Sequence, residues 1–287
     1  MKTLRTLALA SLSATTLLAS SIAYAQDRND WPSSFTVGTA SQGGTYFAYG
    51  SGWANFIAEK LGVSGGAEVT GGPVQNMALV HTGDLAFGFT TMGPARDALE
   101  GKSPLAPGMA MDNTCAMFPM YETPFSMAAL GGSGITSAST IPAGTRIGFG
   151  PSGSTAAGVP IPTISQLEVQ TSVNVLSFTQ EEADKLVAEY PVSEFIIPAG
   201  TYSTVKDDVR AVAMWNFAVA NCELPESFVY EVTKLTMENN PRMVSIHQAA
   251  VTSIPENLDK NTFIPWHPGA ARWFAENGYD IDPALIK

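Results

Sequence analysis

A short β-rich run that halts at glycines and passes directly into a helix recurs along the first half of the chain, and this recurrence limits the fold more than any other feature. Phe35-Thr-Val-Gly-Thr-Ala40 ends in Ser41-Gln-Gly-Gly44. Tyr46, Tyr49, Trp53, Phe56, Ile57 and Leu61 then recur at helical spacing, which predicts an amphipathic helix from Thr45 to Leu61. Glu68-Val-Thr70 reads as the next strand. Gly71-Gly72 follows, and Pro73, well suited to a first helical position, opens a helix with Val74, Met77, Ala78 and His81 on one face. Gly83-Asp84 closes that helix, and Leu85–Thr90 makes a further strand. Strands that alternate with helices predict an α/β fold built on a parallel sheet with right-handed crossovers.

In such a sheet both glycine-rich turns fall at the carboxyl ends of strands and at the amino ends of helices, on the edge where open α/β sheets bind ligands. Helix amino termini leave N–H groups unpaired and carry partial positive charge, so they attract anions without Lys or Arg. Thr39, Ser41, Thr45, Tyr46, Thr70, Asn76, Thr90 and Thr91 surround the turns. All are neutral hydrogen-bonding groups, suited to binding and not to reaction. Ordinary capping, with Thr45 as the cap of its helix, explains either turn alone. Two such turns on one edge favour a ligand site.

The second half departs from this rhythm. Cys115–Leu130 is an extended apolar run that leaves the first lobe for a second. Thr145-Arg-Ile-Gly-Phe-Gly150 reads as a strand leading into Pro151-Ser-Gly-Ser-Thr155, a third turn of the same kind. A helix should follow, yet Ala156-Ala-Gly-Val-Pro-Ile-Pro162 carries prolines at 160 and 162, which a helix interior does not accept. Beyond it come a helix near Gln180–Tyr190, a strand near Glu194–Pro198, the loop Ala199–Tyr202 and a strong strand from Val209 to Ala220. Helices follow near Pro225–Asn239, Pro241–Val251 and Pro268–Asn277. No tandem repeat or low-complexity linker interrupts them.

The first 25 residues combine Lys2 and Arg5, a stretch rich in Leu, Ala, Ser and Thr, and Ala23-Tyr-Ala25, the pattern of a signal peptide cleaved after Ala25. Release into the periplasm is the expectation. The 26 acidic residues outnumber 15 basic ones, for a net charge of −11, and argue against nucleic acid and anionic membranes as partners. Cys115 and Cys222 form either one disulfide or two separate buried thiols. His81, His247 and His267 stand in no metal-ligand spacing, and no cofactor motif is present, neither a nucleophile elbow nor a P-loop. Asp84 sits in a turn, and Glu181-Glu182 open a helix where the dipole favours negative charge. These features predict binding without catalysis. Arg146, Arg210 and Arg272 serve either a ligand carboxylate or, more in keeping with ordinary surfaces, ion pairs.

The segments Thr36–Tyr46, Thr70–Asn76, Gly83–Ala86, Gly150–Thr155, Ile197–Tyr202, Leu224–Asn239 and His267–Arg272 together resemble the TAXI family of solute receptors that serve TRAP transporters. The resemblance runs in order over nearly the whole chain after residue 25. It implies a two-lobed α/β periplasmic binding protein (type II-like) that closes on a small carboxylate or an amino acid such as glutamate and delivers it to membrane permease subunits. Lobe 1 would comprise residues 26–120 and 216–287, and lobe 2 residues 121–215. Ligand groups would be Thr39, Gly43, Gly44, Thr45, Tyr46, Gly72, Val74, Asn76 and Thr90 from the first lobe, with Ser152, Ser154, Thr155, Gly158 and Tyr202 from the second. One departure stands out: the turn at Ser152–Thr155 abuts Ala157–Pro162 where relatives place further strands and helices between them, so the second lobe is expected to be shortened by roughly a strand-helix-strand unit. A periplasmic sensor component presenting the same fold to a membrane kinase is the alternative.

Overall fold

The computed structural model describes residues 28–146 and 162–287. Strand β1 (Ser34–Gly38), helix α1 (Thr45–Leu61), β2 (Ser64–Glu68), α2 (Pro73–Thr82), β3 (Phe87–Thr91) and α3 (Met92–Leu99) follow one another. β1 pairs in parallel with β2 on one side and with β3 on the other. The α/β class and the parallel start are therefore as the sequence predicts.

Three local differences have identifiable causes. β2 begins four residues before the expected Glu68, in Ser64-Gly-Gly-Ala-Glu68, a composition with little intrinsic strand preference. Glycine is needed there because the Phe35 ring lies over it: a Cβ on Gly65 would stand 2.4 Å from Phe35 Cζ. In α2 the buried residues are Pro73, Asn76, Met77 and Val80, while Val74, Ala78 and His81 are only half-buried. The face was hidden because its key member, Asn76, is polar. Helix α3 has no counterpart in the sequence reading, since Gly93-Pro94 resembles a turn, although proline is tolerated in a first helical turn.

β4 (Thr114–Pro124) leads to β5 (Met127–Leu130), and after residue 161 come α4 (Pro162–Gln170), β6 (Val173–Leu176), α5 (Gln180–Glu189) and β7 (Ser193–Ile197). β8 (Val209–Asn221) then returns, followed by α6 (Glu226–Met237), α7 (Asn240–Ile246) and α8 (Pro268–Glu276). The main sheet runs β2-β1-β3-β8-β4, with β7 on β8, and β5 pairs with β6 separately. β8 is antiparallel to all its neighbours. It lies against β4 over most of its length, with β3 along residues 216–220 and β7 along 209–213 of its other edge.

Among the described residues the apolar interior has two parts. The large core gathers Trp53, Phe35, Phe87, Phe89, Phe118 and Phe228, with the Trp53 ring 5.5 Å from Phe87 and 5.9 Å from Phe118. The small core consists of Ile164, Val173, Ile197, Tyr202, Val205 and Ala211. Trp53 and Trp273 are buried, as expected of core residues, and Trp215 is half-buried. Among the described residues no helix is long and apolar enough to cross a membrane.

Cys115 and Cys222 form a disulfide, which settles the alternative that the spacing left open. The bond joins the start of β4 to the residue after β8, so the loop it closes contains every element between them. A closed loop of 107 residues restricts the unfolded chain by about 5 kcal/mol in the chain-entropy account. A Cys115→Ala/Cys222→Ala double variant should therefore unfold at a markedly lower urea midpoint. An unchanged midpoint would show that the bond contributes nothing to stability.

His267 gives a pH-dependent term. Its Nδ1 accepts the Gly269 N–H at the start of α8, and its Nε2 lies 3.1 Å from the Leu224 carbonyl oxygen. Burial pushes its pKa down to about 4. Between that value and the unfolded 6.5 the unfolded chain binds the extra proton, so stability present above pH 6.5 is lost as pH falls towards 4, by on the order of 2–3 kcal/mol. His267→Asn keeps a capping acceptor without titrating, and the difference in urea midpoint between pH 7 and pH 4.5 should shrink in that variant.

Candidate ligand site at the carboxyl edge of the sheet

The parallel strands place the starts of α1, α2 and α3 on one edge: β1 leads into α1, β2 into α2 and β3 into α3. None of these three helices has an acidic residue in its first turn, and none has a side-chain cap. The same lack of first-turn acids is found in α4, α7 and α8, whereas two helices differ. α5 opens with Glu181 and Glu182 and is capped by Thr179, and α6 opens with Glu226. The positive ends of α1–α3 thus meet no carboxylate from their own first turns.

Thr45 is the first residue of α1 and does not cap it; Gly44 occupies the N-cap. Gly43 and Thr45 sit in the turn, the first exposed and the second half-buried. Gly43 has φ 83°, and Gly72, at the N-cap of α2, has φ 105° and ψ −157°, a conformation open only to glycine. Val74 is half-buried beside it. Some of the N–H groups at this second turn are already used: Gly71 donates to Gln75 Oε1 at 2.6 Å and Gly72 to Thr70 Oγ1 at 3.1 Å.

Other predicted site residues lie beneath this surface. Asn76 is fully buried, and its Nδ2 lies 3.1, 2.8 and 2.8 Å from the carbonyl oxygens of Gly38, Thr39 and Phe89. Its Oδ1 accepts from Thr70 Oγ1 at 2.7 Å. Asn76 therefore fastens β1 to β3 and holds the turn before α2; its polar atoms are committed, and it presents nothing to a ligand. Thr39 is likewise buried and donates to the Glu68 carbonyl oxygen at 2.6 Å, tying β1 to β2. Thr90 is fully buried. Tyr46 is buried in the core against Phe89 and Tyr121, and its hydroxyl donates to Asn216 Oδ1 at 2.5 Å. Burial raises the Tyr46 pKa well above the usual phenol value, so it remains a neutral donor. Tyr202 belongs to the small core, its hydroxyl 3.3 Å from Ser126 Oγ. Ser152, Ser154, Thr155 and Gly158, with most of the strand expected at Thr145–Gly150, lie outside the described residues.

The sequence reading missed Asn216. It is a polar residue in a buried strand, and only its spatial neighbours reveal its role. Two of the three candidate arginines have partners: Arg210 pairs with Glu194 at 3.3 Å, and Arg272 pairs with Glu226 and Glu276 while stacking on Tyr230. Arg146 is exposed. Among the described residues no cluster of three or more potential metal ligands occurs. A depression of about 460 Å³ lies at the opposite, amino edge of the sheet, lined in part by Ser34, Thr36, Asp84, Asn113, Asn221 and Glu223. Its two carboxylates suit it poorly to an anion.

Asn76→Asp should replace two amide donors by a carboxylate facing three carbonyl oxygens, at a cost of about 3 kcal/mol or more, read as a fall in the urea midpoint. A wild-type midpoint would remove Asn76 as the holder of the turns.

The profile of the NMT1-like family matches residues 37–157 and 154–278, two segments that share residues 154–157. Solved structures with a similar chain trace include MatC (Rpa3494) from Rhodopseudomonas palustris with bound malate, 14% identical over 85% of this chain and 95% of that one, with a TM-score of 0.49. The periplasmic binding protein BugD is 12% identical over 87% of this chain and 99% of its own, with a TM-score of 0.46. XAC2383 from Xanthomonas citri bound to chloride ion is 9% identical over 85% and 96%, with a TM-score of 0.42.

Proposed function

This chain belongs to the NMT1-like family, and from that premise we propose that it is an extracytoplasmic solute receptor that captures a small carboxylate or amino acid, such as glutamate, for a TRAP transporter of the TAXI type. The observation that carries the reading is the convergence of three helix amino termini without first-turn acids in a protein of net charge −11. A carboxylate brought there meets unpaired N–H groups and the positive ends of helix dipoles. No arginine is required.

In this reading Gly43, Gly44, Thr45, Gly72 and Val74 meet the ligand from lobe 1, and Thr39, Tyr46, Asn76 and Thr90 hold those groups from below. Ser152, Ser154, Thr155 and Gly158 approach from lobe 2, where Tyr202 supports the core. Lobe 1 comprises residues 26–120 and 216–287, and lobe 2 comprises 121–215. Residues 1–25 direct export to the periplasm and are removed. The prolines at 160 and 162, where a helix is expected after the third turn, support a shortened second lobe.

The test is a thermal-shift screen of the chain from Gln26 onward against glutamate, glutamine, 2-oxoglutarate and succinate. A ligand at 100 times its Kd adds about 2.7 kcal/mol, which raises Tm by roughly 5–10 °C in a chain of this size. Cooperative melting with no shift by any of them would reject the carboxylate reading.

A further inference from the structure

Two tyrosines on the buried face of α1 each start a directed chain of hydrogen bonds that ends on a main-chain carbonyl at one irregularity of β4. Tyr46 donates to Asn216 Oδ1 at 2.5 Å, and Asn216 Nδ2 donates to the Tyr121 carbonyl oxygen at 2.6 Å and to Thr123 Oγ1 at 2.6 Å. One helical turn later, Tyr49 donates to Ser253 Oγ at 3.1 Å, and Ser253 donates to the Met120 carbonyl oxygen at 2.8 Å. All four relay side chains are buried.

The end point is specific. Pro119 pairs with Phe217 and Glu122 with Trp215, so Met120 and Tyr121 together oppose the single residue Asn216. This is a bulge, which bends and twists a strand locally. It lies where β8 changes neighbours, since the pairing with β3 ends at Asn216 and that with β7 begins at Ala213. The relays thus fasten α1 to the segment where the chain passes from the large core to the small one.

We propose that Tyr46 and Tyr49 are positioning residues that couple the ligand turn at the start of α1 to the bulged crossing of β4 and β8, so that occupancy of the turn and the bend between the lobes are set together. The coupling to occupancy rests on the receptor reading above; the mechanical link between α1 and the bulge does not. Packing alone accounts for buried aromatic rings, but not for two separate phenol-to-carbonyl relays converging on consecutive residues. Burial keeps both phenols protonated, as donors must be.

Hydrogen exchange of the purified protein tests the link. Tyr46→Phe and Ser253→Ala each remove one hydroxyl with little change in volume. Each should speed exchange of the amides at 120–123 by about tenfold, the effect of one lost buried hydrogen bond, while α6 and α8 keep their protection. Unchanged exchange at 120–123, or an equal rise throughout the large lobe, would overturn the proposal. In a second arm L-glutamate and succinate serve as probes. If either raises the Tm of the unaltered protein, it should also protect 120–123, and that protection should fall in Tyr46→Phe; equal protection in the variant overturns the coupling. If neither probe binds, the receptor reading loses its support for these carboxylates, and the first arm still decides the link.

Discussion

The antiparallel ladder between β4 and β8 is the contact on which the rest of the molecule depends. β3 would otherwise end the parallel unit as an open edge with Phe87 and Phe89 beside unpaired main-chain groups; β8 covers it, and β4 covers β8. The same two strands are the route by which the chain leaves the large core and returns. Antiparallel pairing suits such a detour because the outgoing and returning strands run side by side in opposite directions. The Cys115–Cys222 bond then closes the ladder at its large-core end.

How much of this was legible depended on whether the decisive partner was local. α1 could be read to the residue, because its buried Tyr46, Tyr49, Trp53, Phe56, Ile57 and Leu61 are apolar or aromatic at helical spacing and Gly62 ends it in the left-handed conformation. β2 could not, because Gly65 is explained by Phe35, thirty residues upstream, and not by its neighbours. α3 was hidden by a Gly-Pro pair that is compatible with a helix start yet more familiar from turns. Asn216 lies 170 residues from Tyr46, so no pattern within a strand could reveal the pair.

The candidate site divides along the same line. Its position on the carboxyl edge followed from the alternation of strands and helices, and its neutral polar composition was visible in the turns. What the sequence did not disclose was the division of labour. Asn76 and Thr39 look like ligand groups when read along the chain, but three dimensions commit them to holding strands and turns together. Acidity is no obstacle at this edge, because exposed carboxylates farther than about 8 Å are largely screened at physiological salt while the helix termini act at contact.

The small core is not an independent body. Ala211 and Val209 belong to it or pack on it, and the next residues of the same strand, from Phe217 to Ala220, are buried in the large core. The two cores are thus tied together by one strand, β8, which contributes residues to each. Met214 and Trp215 are the residues of β8 that pair with neither β3 nor β7; both are half-buried and pair with β4, and Trp215 packs against the large core. The bulge in β4 lies next to them, opposite Asn216. The small core is therefore held to the large one through β4 and β8, the two strands that run into it.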